Sequence, residues 1–212
     1  MPNRKEWVRS LFDSWQRVKG SWVKFTFSNK NGVEYLIVFN VYGASMVLEV
    51  VQLLKEGNAK KVFFLGSMGG KELPVGTLVL PTRIVDKTGL VAIDDPDKQI
   101  AQPDDHGLEK VRRALDDSSE VYVEGEIVSV PCVLHNIDHV SSFVEQDENI
   151  LGVECESSTY FHYTQKETLE SYALLYVSDN RKHDVIAGGK DMRNARRKSL
   201  RKITQIAIKV ME

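Results

Sequence analysis

Carboxylates follow two apolar segments in the C-terminal third of the chain. Glu154 and Glu156 are separated by a single residue, and Asp179 follows the apolar run 172–177. In an open α/β sheet the carboxyl ends of the strands form the ligand crevice, so acids at these ends are held by a rigid scaffold and face a pocket. The paired acids could bind a polyol while the third acid protonates a leaving group. Cleavage of the glycosidic bond of a nucleoside needs this combination.

The spacing of Glu154 and Glu156 allows two interpretations. Residues two apart share one face of a strand, whereas at a strand end that turns into a helix both can surround one ligand. A carboxylate that accepts both vicinal hydroxyls of a ribose makes charge-assisted hydrogen bonds, which are stronger than neutral ones. Alternatively, Glu154 is a solvated or N-capping acid at the start of a helix, where the helix dipole favours negative charge. Both interpretations stay open for Glu154.

Asp179 is the sharpest candidate for proton transfer. A nucleobase leaves more readily as a neutral species, so a carboxylic acid beside purine N7 can donate a proton as the glycosidic bond lengthens. Such an acid needs a raised pKa, which partial burial at the end of the run 172–177 could supply. The alternative is an aspartate whose side chain caps a turn, as is common in Ser-Asp-Asn sequences.

A glycine-rich string follows the apolar run 61–65. Residues 66–70 read Gly-Ser-Met-Gly-Gly, and their lack of bulk would let backbone N–H groups approach a ligand and form a concavity for an anion. Ser67 would add a hydroxyl. The glycines alone favour the alternative, which is a tight turn from strand to loop without a ligand.

Composition and charge narrow the classes of protein. The chain has 212 residues with 28 basic and 30 acidic side chains, a net charge of −2, so no global field attracts nucleic acid or a membrane surface. This length fits a single domain, 1–212. The cysteines, Cys132 and Cys155, lie in apolar segments, which suits a reducing cytosol. No apolar stretch reaches the roughly 18 residues of a membrane span, and we expect a soluble cytoplasmic protein.

The apolar periods alternate between helix and strand along the chain. The predicted helices cover 7–18, 44–55, 107–115, 137–144, 157–168 and 193–210. The predicted strands cover 23–27, 34–39, 61–65, 77–81, 126–130 and 172–177. The first two strands are expected to form a hairpin, and the strand 61–65 to be buried on both faces at the centre of the sheet. Residues 91–106 are expected to form a long loop.

Five short motifs stand in a consistent order. They are Tyr42-Gly43-Ala44-Ser45, the strings 65–70 and 75–82, the Glu-Cys-Glu string and the Ser178-Asp179 pair. With these motifs the chain resembles the nucleoside phosphorylase and nucleosidase family, which holds purine nucleoside phosphorylases, uridine phosphorylases and methylthioadenosine nucleosidases, as an N-terminally short and divergent member. The resemblance implies a three-layer α/β/α phosphorylase-type fold with a central mixed twisted sheet. It also implies a homo-oligomer.

The resemblance implies roles for particular residues. Glu156 would hold the sugar hydroxyls, Cys155 would pack on the sugar where the family usually has methionine, and Asp179 would protonate the base. Purine-cleaving members keep the Ser-Asp pair, which favours a purine. The resemblance assigns catalysis to Asp179 and Ser67, and substrate binding to Glu156, Glu154, Cys155, Tyr42, Gly66, Gly69 and Ser178.

The sequence departs from the family pattern at the residues that would bind phosphate. Phosphorylases carry an arginine in the strand before the Gly-Ser turn, and this chain has Phe64, whose ring cannot pair with phosphate. Arg4 is the residue that could match the arginine after the family's N-terminal phosphate loop, but the strand before that loop and the glutamate that activates water in the hydrolases have no counterpart. An assisting arginine after the Ser-Asp pair would be Arg181 or Arg193. Phosphate is then a co-substrate only in the phosphorolytic case, and no metal or organic cofactor is implied.

Three functions stay open. The first is cleavage of the N-glycosidic bond of a purine ribonucleoside, by phosphorolysis or by hydrolysis. The second is a catalytically impaired protein that binds a nucleoside without turnover, because a fold does not guarantee chemistry. The third is a structural subunit that completes its site with a partner chain. The expected ligand is a small-molecule nucleoside.

Overall fold

The computed structural model describes residues 9–17, 23–132, 144, 147–180 and 189–212. The strands are β1 (Ser14–Arg17), β2 (Lys24–Lys30), β3 (Val33–Phe39), β4 (Lys61–Gly70), β5 (Leu78–Asp86), β6 (Ile100–Ala101), β7 (Tyr122–Ser129), β8 (Ile150–Glu154) and β9 (Glu170–Asn180). The helices are α1 (Ala44–Glu56), α2 (Val91–Asp94), α3 (Asp105–Asp117), α4 (Ser157–Lys166) and α5 (Lys190–Met211). Within the described ranges, every helix is too short or too polar to span a lipid bilayer.

The chain divides into two compact units, Gly43–Met211 and the residues before it together with Glu212. In the smaller unit, β1, β2 and β3 form an antiparallel sheet in that order. The predicted hairpin is confirmed: β2 and β3 are joined by Asn31 and Gly32, whose φ angles of 52° and 80° suit the tight turn that Asn-Gly favours. The organisation of 1–212 as one domain stays a prediction.

The helix predicted over 7–18 is wrong for residues 14–17, while residues 7, 8 and 18 lie outside the described part of the chain. Ser14–Arg17 is a strand that pairs with β2, Trp15 lying opposite Ser28. The Trp15 ring centroid is 6.2 Å from that of Phe39 in β3. Local helical spacing is overridden here by a long-range pairing, which supplies both backbone hydrogen bonds and an aromatic contact for the tryptophan.

The larger unit is built on a mixed sheet with the strand order β6-β5-β7-β8-β4-β9, in which β5 also pairs with β9. β5, β7 and β8 run parallel to one another, and β4 runs parallel to β9. β4 is antiparallel to β8, as β5 is to β6 and to β9. The predicted α/β class with a central mixed sheet is confirmed.

Helices cover both faces of this sheet. Phe63 of β4 stacks on Tyr172 of β9 with ring centroids 5.8 Å apart, and both belong to the core formed with α3 and α5. The next residue, Phe64, stacks on Tyr160 of α4 at 5.3 Å. Because successive residues of a strand face opposite sides, α4 lies on the face away from α3 and α5.

β4 differs in two ways from the strand predicted at 61–65. It lies inside the sheet between β8 and β9 as predicted, but Phe63 and Phe64 are only half-buried. It also continues through the glycine-rich string to Gly70, so the turn predicted at 66–70 is wrong. Pairing with β9 along its whole length keeps this segment extended, and the glycines carry no local signal of that pairing.

The other predicted elements agree in type and differ mainly at their ends. The loop predicted at 91–106 is wrong, because it contains α2 and β6 and its last residues begin α3. There Asp104 caps the helix by accepting the N–H of Gly107 at 2.8 Å. β8 was not predicted. The helix predicted over 137–144 lies outside the described residues except for Val144.

Candidate active site

The carboxyl ends of β8 and β9 lie on either side of β4. Gly69 of β4 pairs with Val153 of β8 and with Asp179 of β9. Glu154 ends β8, and Glu156 follows it at the start of α4. The structure therefore brings Asp179 and the two glutamates to the same part of the sheet.

Glycine is required where β4 approaches β8. A Cβ on Gly152 would stand 2.2 Å from the carbonyl oxygen of Gly69 and 2.2 Å from Cε of Met68, so a side chain there would push the two strands apart. A Cβ on Gly69 would lie 3.6 Å from Oδ2 of Asp179, which is an ordinary contact distance. The bare backbone of Gly69 thus leaves room beside the Asp179 carboxyl group.

Gly66 serves packing. A Cβ at this position would stand 2.4 Å from Cδ2 of Leu175 and 2.8 Å from Cε1 of Phe64. The space beside Gly66 is filled by the side chains of Leu175 and Phe64. The resemblance instead implies that Gly66 faces the substrate. Phe64 itself packs on α4, in the middle of β4.

Asp179 is half-buried and is tied to its neighbour. Its Oδ1 accepts a hydrogen bond from Oγ of Ser178 at 2.5 Å, while Oδ2 faces Gly69. Ser178 is held in turn by Arg196 of α5, whose Nε donates to the Ser178 carbonyl oxygen at 2.5 Å. The end of β9 is therefore fixed by α5 at the residue before the candidate proton donor.

Among the described residues, the arginine that contacts the Ser-Asp pair is Arg196, which was not expected from the sequence. Arg181 lies outside the described residues, and Arg193 is exposed. The contact is made by Arg196, three residues before Ser199, whose Oγ donates to the carbonyl oxygen of Gly76 at 2.7 Å. Helical spacing from the inward-facing Ser199 is the signal that could have identified Arg196.

Glu156 connects the starts of two helices. Its Oε1 accepts the N–H of Gly43, the residue that caps α1, at 2.5 Å, and its Oε2 accepts the N–H of Cys155 at 3.2 Å. The Gly43 N–H lies at the positive end of the α1 dipole, where a carboxylate is favoured. Burial raises the pKa of Glu156 above its ordinary value, and the two N–H groups act against this shift.

Glu154 is buried, with 3% of its surface exposed. Its Oε2 accepts the N–H groups of Glu156 and Ser157, each at 2.8 Å, and its Oε1 accepts the hydroxyl of Ser129 at the end of β7. The pKa of Glu154 is raised to about 7. Burial is the main cause of this shift, and the negative charge of Glu156 is the second.

Protein donors thus occupy both oxygens of Glu154. Of the two interpretations of this residue, the contacts favour the acid that caps the start of α4, although it is buried rather than solvated. The direct substrate contact implied by the resemblance has no support from this position. Glu156 is the glutamate of the pair that lies nearer to solvent.

The remaining residues that the resemblance assigns to the site are in different surroundings. Ser67 is exposed on β4. Cys155 is half-buried against the apolar cluster that contains Val128. Tyr42 is 72% exposed and belongs to the smaller unit. Arg4 lies outside the described residues.

The site offers two acids in different environments. Glu156 is held by backbone N–H groups, which suits an ionised carboxylate that accepts hydroxyl donors. Asp179 is half-buried and accepts a serine hydroxyl at Oδ1, and its Oδ2 faces Gly69. Within the described ranges, no three His, Cys, Asp or Glu side chains are grouped so that they could hold a metal ion.

Comparison with protein families and solved structures gives consistent matches. The family model described as the Phosphorylase superfamily matches residues 6–212. Uridine phosphorylase from Vibrio fischeri superimposes with a TM-score of 0.87 at 18% identity, covering 98% of this chain and 86% of that chain. None of the curated protein sequences is a significant match.

Two hydrolases are also similar in structure. The 5′-methylthioadenosine/S-adenosylhomocysteine nucleosidase from Campylobacter jejuni has a TM-score of 0.82 at 12% identity, covering 99% of this chain and 94% of that chain. A futalosine hydrolase mutant from Helicobacter pylori has a TM-score of 0.77 at 14% identity, covering 100% and 94%. At these identities the likeness shows the fold alone.

The raised pKa of Glu154 predicts a pH-dependent stability. A carboxyl whose pKa rises from 4.5 in the unfolded chain to about 7 in the folded protein contributes stability that is fully present below pH 4.5 and is lost as the pH rises through about 7. Glu154→Gln removes this titration. Relative to the variant, the wild type should lose on the order of 3 kcal/mol in the free energy of unfolding across this range.

Urea unfolding of both proteins at several pH values between about 4.5 and 8 measures this difference. Using the variant as reference cancels the titration of groups that do not interact with Glu154. A difference that stays constant with pH would show that Glu154 has an ordinary pKa in the folded protein.

Proposed function

Because the chain belongs to the phosphorylase superfamily, whose nucleoside phosphorylases and nucleosidases cleave glycosidic bonds, we propose that it cleaves the N-glycosidic bond of a purine ribonucleoside. The resemblance read from its motifs is confirmed at the level of the family. One observation supports the choice of these residues: Gly69 of β4 pairs on one side with Asp179 of β9 and on the other with Val153 of β8, the residue before Glu154. Sugar and base of one nucleoside would lie between them.

Glu156 is the residue proposed to hold the sugar. Its two oxygens offer about four acceptor positions. Two of these are used by the N–H groups of Gly43 and Cys155, which leaves acceptor capacity for a vicinal diol. A carboxylate favours donors over acceptors, so it selects for ribose over a sugar without the 2′-hydroxyl.

Asp179 is the residue proposed to protonate the base. Ser178 donates to its Oδ1, so the transferable proton would sit on Oδ2, the oxygen beside Gly69. From there it would pass to purine N7 as the bond between C1′ and N9 lengthens. The electrons of that bond go to the base, and water or phosphate then adds at C1′; an added water releases one proton to solvent. A pyrimidine has no N7, which is why this arrangement favours a purine.

Hydrolysis is favoured over phosphorolysis. Phe64 stands where phosphorylases of the family carry an arginine, and its ring is stacked on Tyr160 rather than facing an anion. Water would then be the acceptor of the sugar. The chain is also proposed to form a homo-oligomer, as the family resemblance implies. A binding protein without turnover is the second candidate.

Asp179→Asn tests the proton transfer. The amide cannot supply the proton, so kcat should fall by about 10² to 10⁴, the usual contribution of general acid catalysis. The affinity for the nucleoside should change little, because the side-chain volume is kept. Base release followed by absorbance, together with a binding titration, separates the two effects.

Asp117→Asn is a matched control, since Asp117 is an exposed aspartate at the end of α3. It should keep the wild-type rate. Turnover that survives in the Asp179→Asn protein would contradict the assignment of the acid.

Glu156→Gln tests sugar recognition. Loss of a hydrogen bond to a charged acceptor should cost about 1.5 to 3 kcal/mol per bond. The wild type should therefore bind a purine ribonucleoside more tightly than its 2′-deoxy analogue, and the variant should largely lose this preference. Isothermal titration with the matched pair of sugars measures the effect even without turnover.

Glu167→Gln, at the other end of α4, is the control and should keep the preference. Equal affinity for both sugars in the wild type would show that Glu156 does not face a ribose.

The nature of the products tests the choice between water and phosphate. With Phe64 at the position of the family's arginine, free ribose should form at the same rate with and without phosphate. Chromatography of the sugar product over a phosphate series is the measurement. Ribose 1-phosphate formed at a rate that saturates with phosphate would contradict hydrolysis. Absence of both sugars at high protein concentration would favour the binding protein.

A further inference from the structure

Three neighbouring strands end in a row of buried polar side chains. Asp86 ends β5, Ser129 ends β7 and Glu154 ends β8, and each is paired with the next across the sheet. Their exposed fractions are 7%, 0% and 3%. Polar groups buried to this extent need hydrogen-bond partners, and we refer to these three residues as the strand-end row.

The strand-end row holds the first turn of α4. Oγ of Ser129 donates to Glu154 and accepts the N–H of Ser158 at 2.9 Å. Oγ of Ser158 donates to Oδ1 of Asp86 at 2.6 Å. The row therefore satisfies N–H groups at the start of the helix that have no partner within it.

Glu154 holds the two residues that come before Ser158. Its Oε2 accepts the N–H of Glu156 and the N–H of Ser157, each at 2.8 Å, and also the hydroxyl of Ser157 at 3.0 Å. Glu156 occupies the N-cap position of α4, and its own side chain makes no capping bond there. That side chain is instead turned to the Gly43 N–H at the start of α1.

We propose that Glu154 is a positioning residue for sugar recognition: by accepting the backbone N–H of Glu156, it sets the direction from which the Glu156 carboxylate meets the hydroxyls of a ribose. This inference rests on the proposed role of Glu156. Glu154 itself does not touch the sugar. Its oxygens are engaged with Ser129, Glu156 and Ser157.

The physical reason is the sensitivity of hydrogen bonds to geometry. A carboxylate binds a vicinal diol well only when both of its oxygens are held near the productive position, within about 0.5 Å. The Glu156 side chain starts at the junction between β8 and α4, so any shift of that junction moves the carboxylate. Glu154 is the side chain that ties this backbone to the sheet.

Asp86 provides a matched control within the same row. It is a buried acid at a strand end, and it accepts hydrogen bonds from Oγ of Ser158 at 2.6 Å and from Oγ1 of Thr88 at 2.7 Å. These contacts stabilise α4 without touching the backbone of Glu156. A purely structural role of the row would affect variants of Asp86 and Glu154 alike.

The test compares four variants by isothermal titration with a purine ribonucleoside and its 2′-deoxy analogue. The wild type should prefer ribose by about tenfold or more. Glu154→Met removes the acceptor, and Glu154→Asp keeps the acid but shortens its reach. In both, the preference should fall to the level of Glu156→Gln.

The other two variants should keep the preference. Glu154→Gln can place its carbonyl oxygen at the position of Oε2 and its NH₂ group toward Oγ of Ser129, so the N–H of Glu156 stays bonded. Asp86→Asn should lower the melting temperature without changing the preference. A preference that is retained in folded Glu154→Asp or Glu154→Met, or that is lost equally in Asp86→Asn, would overturn the proposal.

Amide hydrogen exchange measured by NMR gives a second readout that needs no ligand. The amides of Glu156 and Ser157 should lose protection in Glu154→Asp and Glu154→Met, and should keep it in Asp86→Asn. If the wild type shows no ribose preference, the proposed function fails, and exchange alone decides whether Glu154 positions this backbone. Unchanged protection in the Glu154 variants would then reject the positioning role.

Discussion

A carboxylate buried at the end of β8 depends on protein donors, because it has little access to water. Glu154 finds these donors in the hydroxyl of Ser129 and in the N–H groups that begin α4. Those N–H groups have no partner inside their own helix. One set of contacts meets both needs, so β7, β8 and α4 must keep their relative positions. Glu156 starts at this junction and acquires its direction from it.

The second constraint is the close approach of β4 to β8. It requires glycine at position 152, since a Cβ there would collide with the backbone of Gly69. At Gly69, β4 pairs with β8 on one side and with β9 on the other, so the ends of β8 and β9 are separated by a single strand. Asp179 and Glu156 therefore come from segments that are distant in sequence and that follow strands on opposite sides of β4. A nucleoside proposed to lie there can contact both acids.

The fold by itself is compatible with several reactions. The chain superimposes on a uridine phosphorylase and on two hydrolases at 12% to 18% identity, so the architecture decides neither the base nor the acceptor of the sugar. These choices depend on single side chains. In the proposed reaction, Phe64 replaces the arginine that would bind phosphate, and Asp179 would protonate N7 of the base. Burial raises the pKa of Glu154 to about 7, and in the proposed site this residue positions Glu156 without contacting the substrate.

Local patterns in the sequence determined the elements whose stability is local. The Asn31-Gly32 turn, the apolar stripe of α1 and the buried run of β9 were all predictable, and the motif order indicated the family and the candidate acids. Tertiary structure decided the rest. Trp15 became part of a strand, Arg196 rather than Arg193 reached the Ser-Asp pair, and Glu154 turned inward. Each outcome depends on pairing or burial between segments distant in sequence, and hydrophobic periodicity carries no information about which distant partner will satisfy a polar group.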